Sequence, residues 1–198
     1  MRAISRDGSD MSGIIDIFRK RRLRKDGKED PERIFPAYNA IGSLVFLYNI
    51  TSREEIDTLN ECCRIFREHK LAYDGFAYIR KGKLLSVARN EIKDGIRLFG
   101  RRQVSLIGTP GPRITAQIPE NGYDVLLNFN ADSSFATKYL AATTKCGFRI
   151  AMREEKEIKY DMIISGSGGA LLDKSEFADR VCYYLESINS VKGKKDER

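Results

Sequence analysis

Residues 123–142 read Tyr-Asp-Val-Leu-Leu-Asn-Phe-Asn-Ala-Asp-Ser-Ser-Phe-Ala-Thr-Lys-Tyr-Leu-Ala-Ala, with an apolar run, a polar break and a helical pattern in immediate succession. Val125, Leu126 and Leu127 are consecutive and apolar, the pattern of a strand covered on both faces in a parallel sheet. The helix is expected from about Ser134 to Lys145, with Phe135, Tyr139, Leu140 and Thr143 on one side and Gly147 beyond its end. Asp132, Ser133 or Ser134 supplies the N-cap oxygen that its free N–H groups need. Open α/β sheets place their ligand crevice at the carboxyl ends of strands, where Asn128, Asn130 and Asp132 stand.

The same alternation extends outward in both directions. Ile41–Tyr48 fits a central strand ended by Asn49, and Ser52-x-x-Glu55 reads as a capping box opening a helix to Lys70 that buries Ile56, Leu59, Cys63 and Phe66. Leu71–Ile79 is the second strand and Lys81-Gly82-Lys83 a turn, with Leu84–Val87 either a hairpin return or a loop. A third strand is expected at Val104–Ile107, closed by Gly108, Pro110, Gly111 and Pro112. Ile114–Ile118 is a helical turn or an extended connector. Beyond the opening stretch come strands at Phe148–Ala151 and Tyr160–Ile164, the run Ser165-Gly-Ser-Gly-Gly169, and a helix over Lys174–Val191 burying Phe177, Val181, Leu185, Ile188 and Val191.

This order selects a single three-layer α/β domain around a doubly wound, mainly parallel, Rossmann-like sheet, because parallel neighbours need crossovers that cover both faces. By analogy with such folds the strand order is 3-2-1-4-5-6. Residues 1–34 form a basic N-terminal helical arm and linker, residues 35–191 the α/β domain and residues 192–198 a charged tail. Two strands open with Tyr-Asp, at Tyr123-Asp124 and Tyr160-Asp161, from a duplicated unit or from recurrent strand starts.

The formal net charge of +7 is concentrated near the ends of the 198-residue chain. Arg19, Lys20, Arg21, Arg22, Arg24 and Lys25 crowd the arm, whose Ile14 and Phe18 share a face with Arg21. Three readings stay open: the helix docks its apolar face on the domain, it contacts RNA or a ribonucleoprotein, or it lies on an anionic membrane surface, the last being the least favoured. The nucleic-acid reading rests on charge alone, since no zinc finger, helix-turn-helix or RNP-type motif accompanies it. No apolar run of transmembrane length and no apolar signal segment is present, so a cytoplasmic location is expected.

Chemistry is sparsely represented. Cys62, Cys63, Cys146 and Cys182 lack zinc-site spacing and read as reduced, structural thiols. The lone histidine, His69, suits a helix end, where a cation complements the dipole. Ser165 and Gly166 open a glycine-rich run that could approach a phosphate, but it lacks the P-loop and G-x-G-x-x-G spacings and reads better as a connector. No paired carboxylates or Ser-His-Asp set is evident, so no cofactor, metal or catalytic residue is assigned. The crevice candidates are Asn49, Asn128, Asn130, Asp132, Ser165 and Gly166.

The order FRKRRLRK, IGSLVFLYNITSREEID, YDVLLNFNADSSFATKYLAATTKCGFRIA, YDMIIS and YYLESIN resembles a family of small Bacteroidota proteins known as a domain of unknown function, over about Gly13–Asn189. That resemblance implies one cytoplasmic domain and no specific activity. The block from Tyr123 to Ala151 is also similar to one Rossmann-like half of heptosyltransferase-type GT-B glycosyltransferases, whose second, nucleotide-sugar-binding half this length leaves out. Two function classes result. One is a non-catalytic module whose arm binds an anionic partner, and the other an enzyme or a binding domain for a small molecule or nucleotide sugar, using the crevice.

Overall fold

A computed structural model describes residues 9–27, 38–92, 95–129 and 134–193, with the side chains of residues 13–27 and 174–187 described in the first and last helices. Asn130 and Asp132, most of the linker, and residues 194–198 of the charged tail lie outside the described residues. The chain runs α1 (Ser9–Asp26), β1 (Leu44–Ile50), α2 (Glu54–Glu68), β2 (Tyr73–Ile79), α3 (Gly82–Glu91), β3 (Ile96–Gly100), α4 (Pro112–Thr115), β4 (Tyr123–Asn128), α5 (Phe135–Thr143), β5 (Cys146–Ala151), β6 (Met162–Ile163) and α6 (Lys174–Gly193).

The six strands form one sheet in the order β3-β2-β1-β4-β5-β6, and every neighbouring pair is parallel. This is the doubly wound, Rossmann-like arrangement expected. The two central strands carry apolar side chains to both faces, as their unbroken runs require. Leu44, Phe46, Tyr48 and Ile50 join a core with α2, α3 and α6, while Val45 and Leu47 join a second core with α4 and α5.

An aromatic cluster ties the first core together. Phe129, immediately after β4, is fully buried, with its ring centroid 4.9 Å from Phe177, 5.6 Å from Tyr48, 5.8 Å from Phe46 and 6.3 Å from Phe66. Its N–H also donates to Leu47 O at 3.0 Å, which extends the β1–β4 pairing past the strand. The ring of Phe46 lies over Gly75 of β2, where any Cβ would collide with it. The repeated Tyr-Asp strand starts have a shared physical use. Asp124 accepts hydrogen bonds from the Gly42 and Ser43 N–H groups at 2.9 and 2.8 Å, and Asp161 accepts one from the Arg149 N–H at 2.8 Å, so the first carboxylate holds the chain entering β1 and the second holds the middle of β5.

The structure corrects several element assignments. The third strand is Ile96–Gly100, not Val104–Ile107, where Val104 makes only an isolated bridge to Pro110. Residues 84–87 lie inside α3 rather than in a hairpin or loop, and from the helix Leu84, Leu85 and Val87 pack against the first core. Asn49 lies within β1 instead of ending it, and the last strand shrinks to Met162–Ile163. The Ser52–Glu55 capping box is displaced by one residue: Glu55 accepts from the N–H and Oγ1 of Thr51, and Ser52 makes no cap to the helix.

Glu55 also receives the Lys174 ammonium, which donates to Asn49 O as well and sits 4.2 Å from the Tyr48 ring centroid. Burial alone would raise the Glu55 carboxyl, but the Lys174 and Thr51 donors outweigh it and hold it below the usual carboxylate range. A depressed folded-state pKa stabilises the protein above the unfolded value of about 4.3 and loses that contribution as pH falls below it. Urea midpoints measured from pH 7 downward should therefore fall less steeply in Glu55→Gln than in the wild type, with the Gln variant the weaker of the two at pH 7. Truncating the aromatic node by Phe129→Ala should cost about 3 to 5 kcal/mol in urea denaturation.

Candidate functional site

The strand order reverses at β1, whose neighbours β2 and β4 lead away to opposite edges of the sheet. Chains leaving the carboxyl ends of β1 and β4 go to opposite faces, which opens a crevice between them. A cavity of about 550 Å³ occupies this place. Its walls come from Asn49, Ile50 and Thr51 after β1, Tyr78, Arg80 and Lys81 after β2, Arg101 after β3, the loop around Ser105 and Gly108, and Ser134–Ala136 at the start of α5. Arg19 of α1 completes it.

Four cations, Arg19, Arg80, Lys81 and Arg101, thus line one cavity from three separate segments, and no carboxylate is among its described walls. Arg19 is held in place: its Nε–H donates to Ile107 O at 2.9 Å and its guanidinium lies 5.1 Å from the Phe135 ring centroid. The start of α5 adds to this field. Ser134 occupies the N-cap position but makes no side-chain cap, and its buried Oγ has no hydrogen-bond partner among the described residues. The N–H groups of the first turn of α5 are free of intrahelical partners and carry the positive end of the helix dipole toward the crevice.

Of the crevice residues read from the sequence, Asn49 lines the cavity. Asn128 lies at the same end of the sheet but is buried and committed elsewhere, donating to Glu155 Oε1 at 2.9 Å and to the Tyr160 hydroxyl at 2.5 Å. The Tyr160 hydroxyl in turn donates to Glu155 at 3.0 Å, and burial pushes this phenol far above its ordinary pKa. Ser165 and Gly166 follow β6 at the edge of the sheet, two strands beyond β4, and do not reach the cavity. Their loop closes on itself, with Gly166 N–H donating to Ala170 O at 2.8 Å and Ser165 O accepting from Arg180 at 3.4 Å.

The six arm residues separate as well. Arg19 enters the crevice, Lys20 faces a shallow pocket shared with Lys138 and Glu157, and Arg22 pairs with Asp26 at 2.5 Å. Arg21, Arg24 and Lys25 are exposed. The helix docks through Leu23 and through Asp26, which accepts from the Tyr139 hydroxyl at 2.6 Å, whereas Ile14 and Phe18, the expected docking face, point to solvent. The sequence pattern hides Arg101 by placing β3 at Val104, eight residues beyond Ile96, and it leaves Arg80 and Lys81 as ordinary turn residues after β2.

A comparison with protein families matches residues 16–188 to a family of unknown function, DUF6913. The chain belongs to that family. No curated protein and no solved structure matches this DUF6913 chain. The family match carries no source group and no transferase, so neither the Bacteroidota origin nor the heptosyltransferase likeness has support beyond the sequence motifs themselves.

Nucleophilic and metal chemistry find little material among the described residues of this DUF6913 member. No group of three or more His, Cys, Asp or Glu side chains is placed to hold a metal ion. His69 caps α2 and meets Glu186 with Nδ1 at 2.7 Å from Oε1, on the opposite face of the molecule from α5. All four cysteines are free and buried, and burial pushes the Cys62 and Cys63 thiols up and the Cys182 thiol to about 12. A thiol-specific chromogenic disulfide should accordingly leave the folded protein unlabelled and titrate all four cysteines once denaturant is added.

Proposed function

We propose that this DUF6913 protein is a non-catalytic binding module that receives a phosphate-bearing ligand in the switch-point crevice. The observation that carries this reading is the convergence of Arg19, Arg80, Lys81 and Arg101 on a single cavity with no carboxylate among its described walls. Arg19 is paired with Asp16 at 3.2 Å, and the excess of like charge on the cavity walls favours an anion, whose phosphate oxygens guanidinium forks match in bidentate geometry. The open first turn of α5 supplies backbone donors of the kind that hold phosphates at helix starts. A volume near 550 Å³ suits a ligand of nucleotide size.

Phosphate occurs both in free nucleotides and along RNA, and the exposed Arg21, Arg24 and Lys25 on the arm favour RNA or a ribonucleoprotein as the second source. Isothermal titration with inorganic pyrophosphate, a nucleoside triphosphate and a single-stranded RNA oligomer separates the two. A small ligand should bind with an affinity lowered about tenfold or more by Arg80→Glu or Arg101→Glu and unchanged by Arg24→Glu. An RNA ligand should lose affinity in all three variants and fall steeply with salt. Absence of binding by every probe at low ionic strength, or binding indifferent to Arg80 and Arg101, overturns the proposal.

A further inference from the structure

The α1 helix carries its apolar residues on more than one side. Leu23 is buried and Ile15 half-buried against the body, while Ile14, Ile17 and Phe18 are 53%, 66% and 52% exposed. Three large apolar side chains within five residues are more than scattered exposure accounts for. Arg21, Arg24 and Lys25 follow them on the helix and are also exposed.

A second protruding element stands beside this face. The loop from Val104 to Pro110 is closed by the Val104–Pro110 bridge and by the hydrogen bonds Ser105 N–H to Thr109 O and Gly108 N–H to Ser105 O, at 2.8 and 2.9 Å. Its tip, Leu106, is 101% exposed. Arg19 pins Ile107 O to α1, and Gly108 packs on Phe135 of α5, so the tip and the helix are held together by one set of contacts. Arg22, which pairs with Asp26, shares an open groove with Leu106, Arg102 and Arg113, and no carboxylate is among the described residues lining that groove. Ile14, Phe18 and Arg22 recur at intervals of four, so one helical stripe leads from the exposed apolar residues to the groove.

We infer that this face docks on an anionic lipid surface, with Leu106, Phe18, Ile14 and Ile17 entering the headgroup boundary and the surrounding arginines meeting lipid phosphates. The apolar side chains project from a helix and a loop tip. A deformable bilayer accommodates such projections, whereas a folded partner would need matching cavities. The basic surroundings select an anionic surface, since juxtamembrane basic residues are attracted to acidic headgroups. They also oppose a second copy, because two chains of net charge +7 would meet through arginine-lined surfaces. The inference does not use Arg80 or Arg101 of the crevice, although Leu106 lines the crevice as well.

Sedimentation of the full chain with vesicles tests it. Vesicles of phosphatidylcholine with about one-third phosphatidylglycerol should bring the protein down at low salt, and vesicles of phosphatidylcholine alone should not. Leu106→Ser and Phe18→Ser, both at exposed positions that leave the fold intact, should each weaken the partition about tenfold. Arg80→Glu should retain the wild-type dependence on Leu106 and Phe18, which separates failure of this inference from failure of the crevice reading. Failure to sediment with anionic vesicles overturns the inference. So does sedimentation that both serine variants retain in full, since charge alone then accounts for it. Capture of an acidic amphipathic peptide in a Leu106-dependent way, without vesicle binding, assigns the face to a protein instead.

Discussion

The side-by-side, parallel pairing of β1 and β4 is the constraint on which the structure rests. Both strands are buried on their two faces, from Leu44 to Ile50 and from Val125 to Asn128, so their backbone groups must be satisfied by lateral neighbours, and all of these run the same way. Parallel neighbours cannot be joined by tight turns, and the crossovers supply the helices that cover each face. The same pairing makes the sheet change direction at its middle. The crevice is a by-product of that reversal, and Phe129 closes the sheet behind it by joining β4 to α2 and α6 through aromatic contacts.

Charge is distributed by the same logic. Many carboxylates are committed to the framework: Asp124 holds the chain entering β1, Asp161 holds the middle of β5, Glu55 joins α2 to α6 through Lys174, and Asp26 fastens the arm to Tyr139. Partly buried carboxylates need donors, and these positions provide them. Basic residues stand instead just beyond the ends of β2 and β3, where the chain turns to solvent. The outcome is a crevice with four cations and no acidic group among its described walls in a chain that has 28 Asp and Glu residues overall.

The arm illustrates how a helix with apolar residues on several sides is oriented by its neighbour. Leu23, Arg19 and Asp26 find partners on α5 and on the loop after β3, and their combined contacts set the rotation of the helix. Ile14, Ile17 and Phe18 then fall outside. Leu23 is buried on the docked side, Arg19 adds a cation–π contact and a hydrogen bond, and Asp26 adds a second hydrogen bond, so polar and apolar partners together fix that side of the helix.

Local pattern alone determined the α/β class, the two central strands, α2 and α5, because unbroken apolar runs and helical spacing reflect burial that any parallel sheet demands. It also located Asn49 at the crevice and the thiols in the core. It could not register β3: Ile96-Arg-Leu-Phe-Gly carries an arginine in the run, and Val104–Ile107 looked more apolar although Leu106 there is wholly exposed. Nor could it gather Arg19, Arg80, Lys81 and Arg101, which are up to 82 residues apart in the chain. Their meeting depends on which strand ends lie together, and that is decided by packing and by the order of strands in the sheet, long-range quantities that no window of sequence contains.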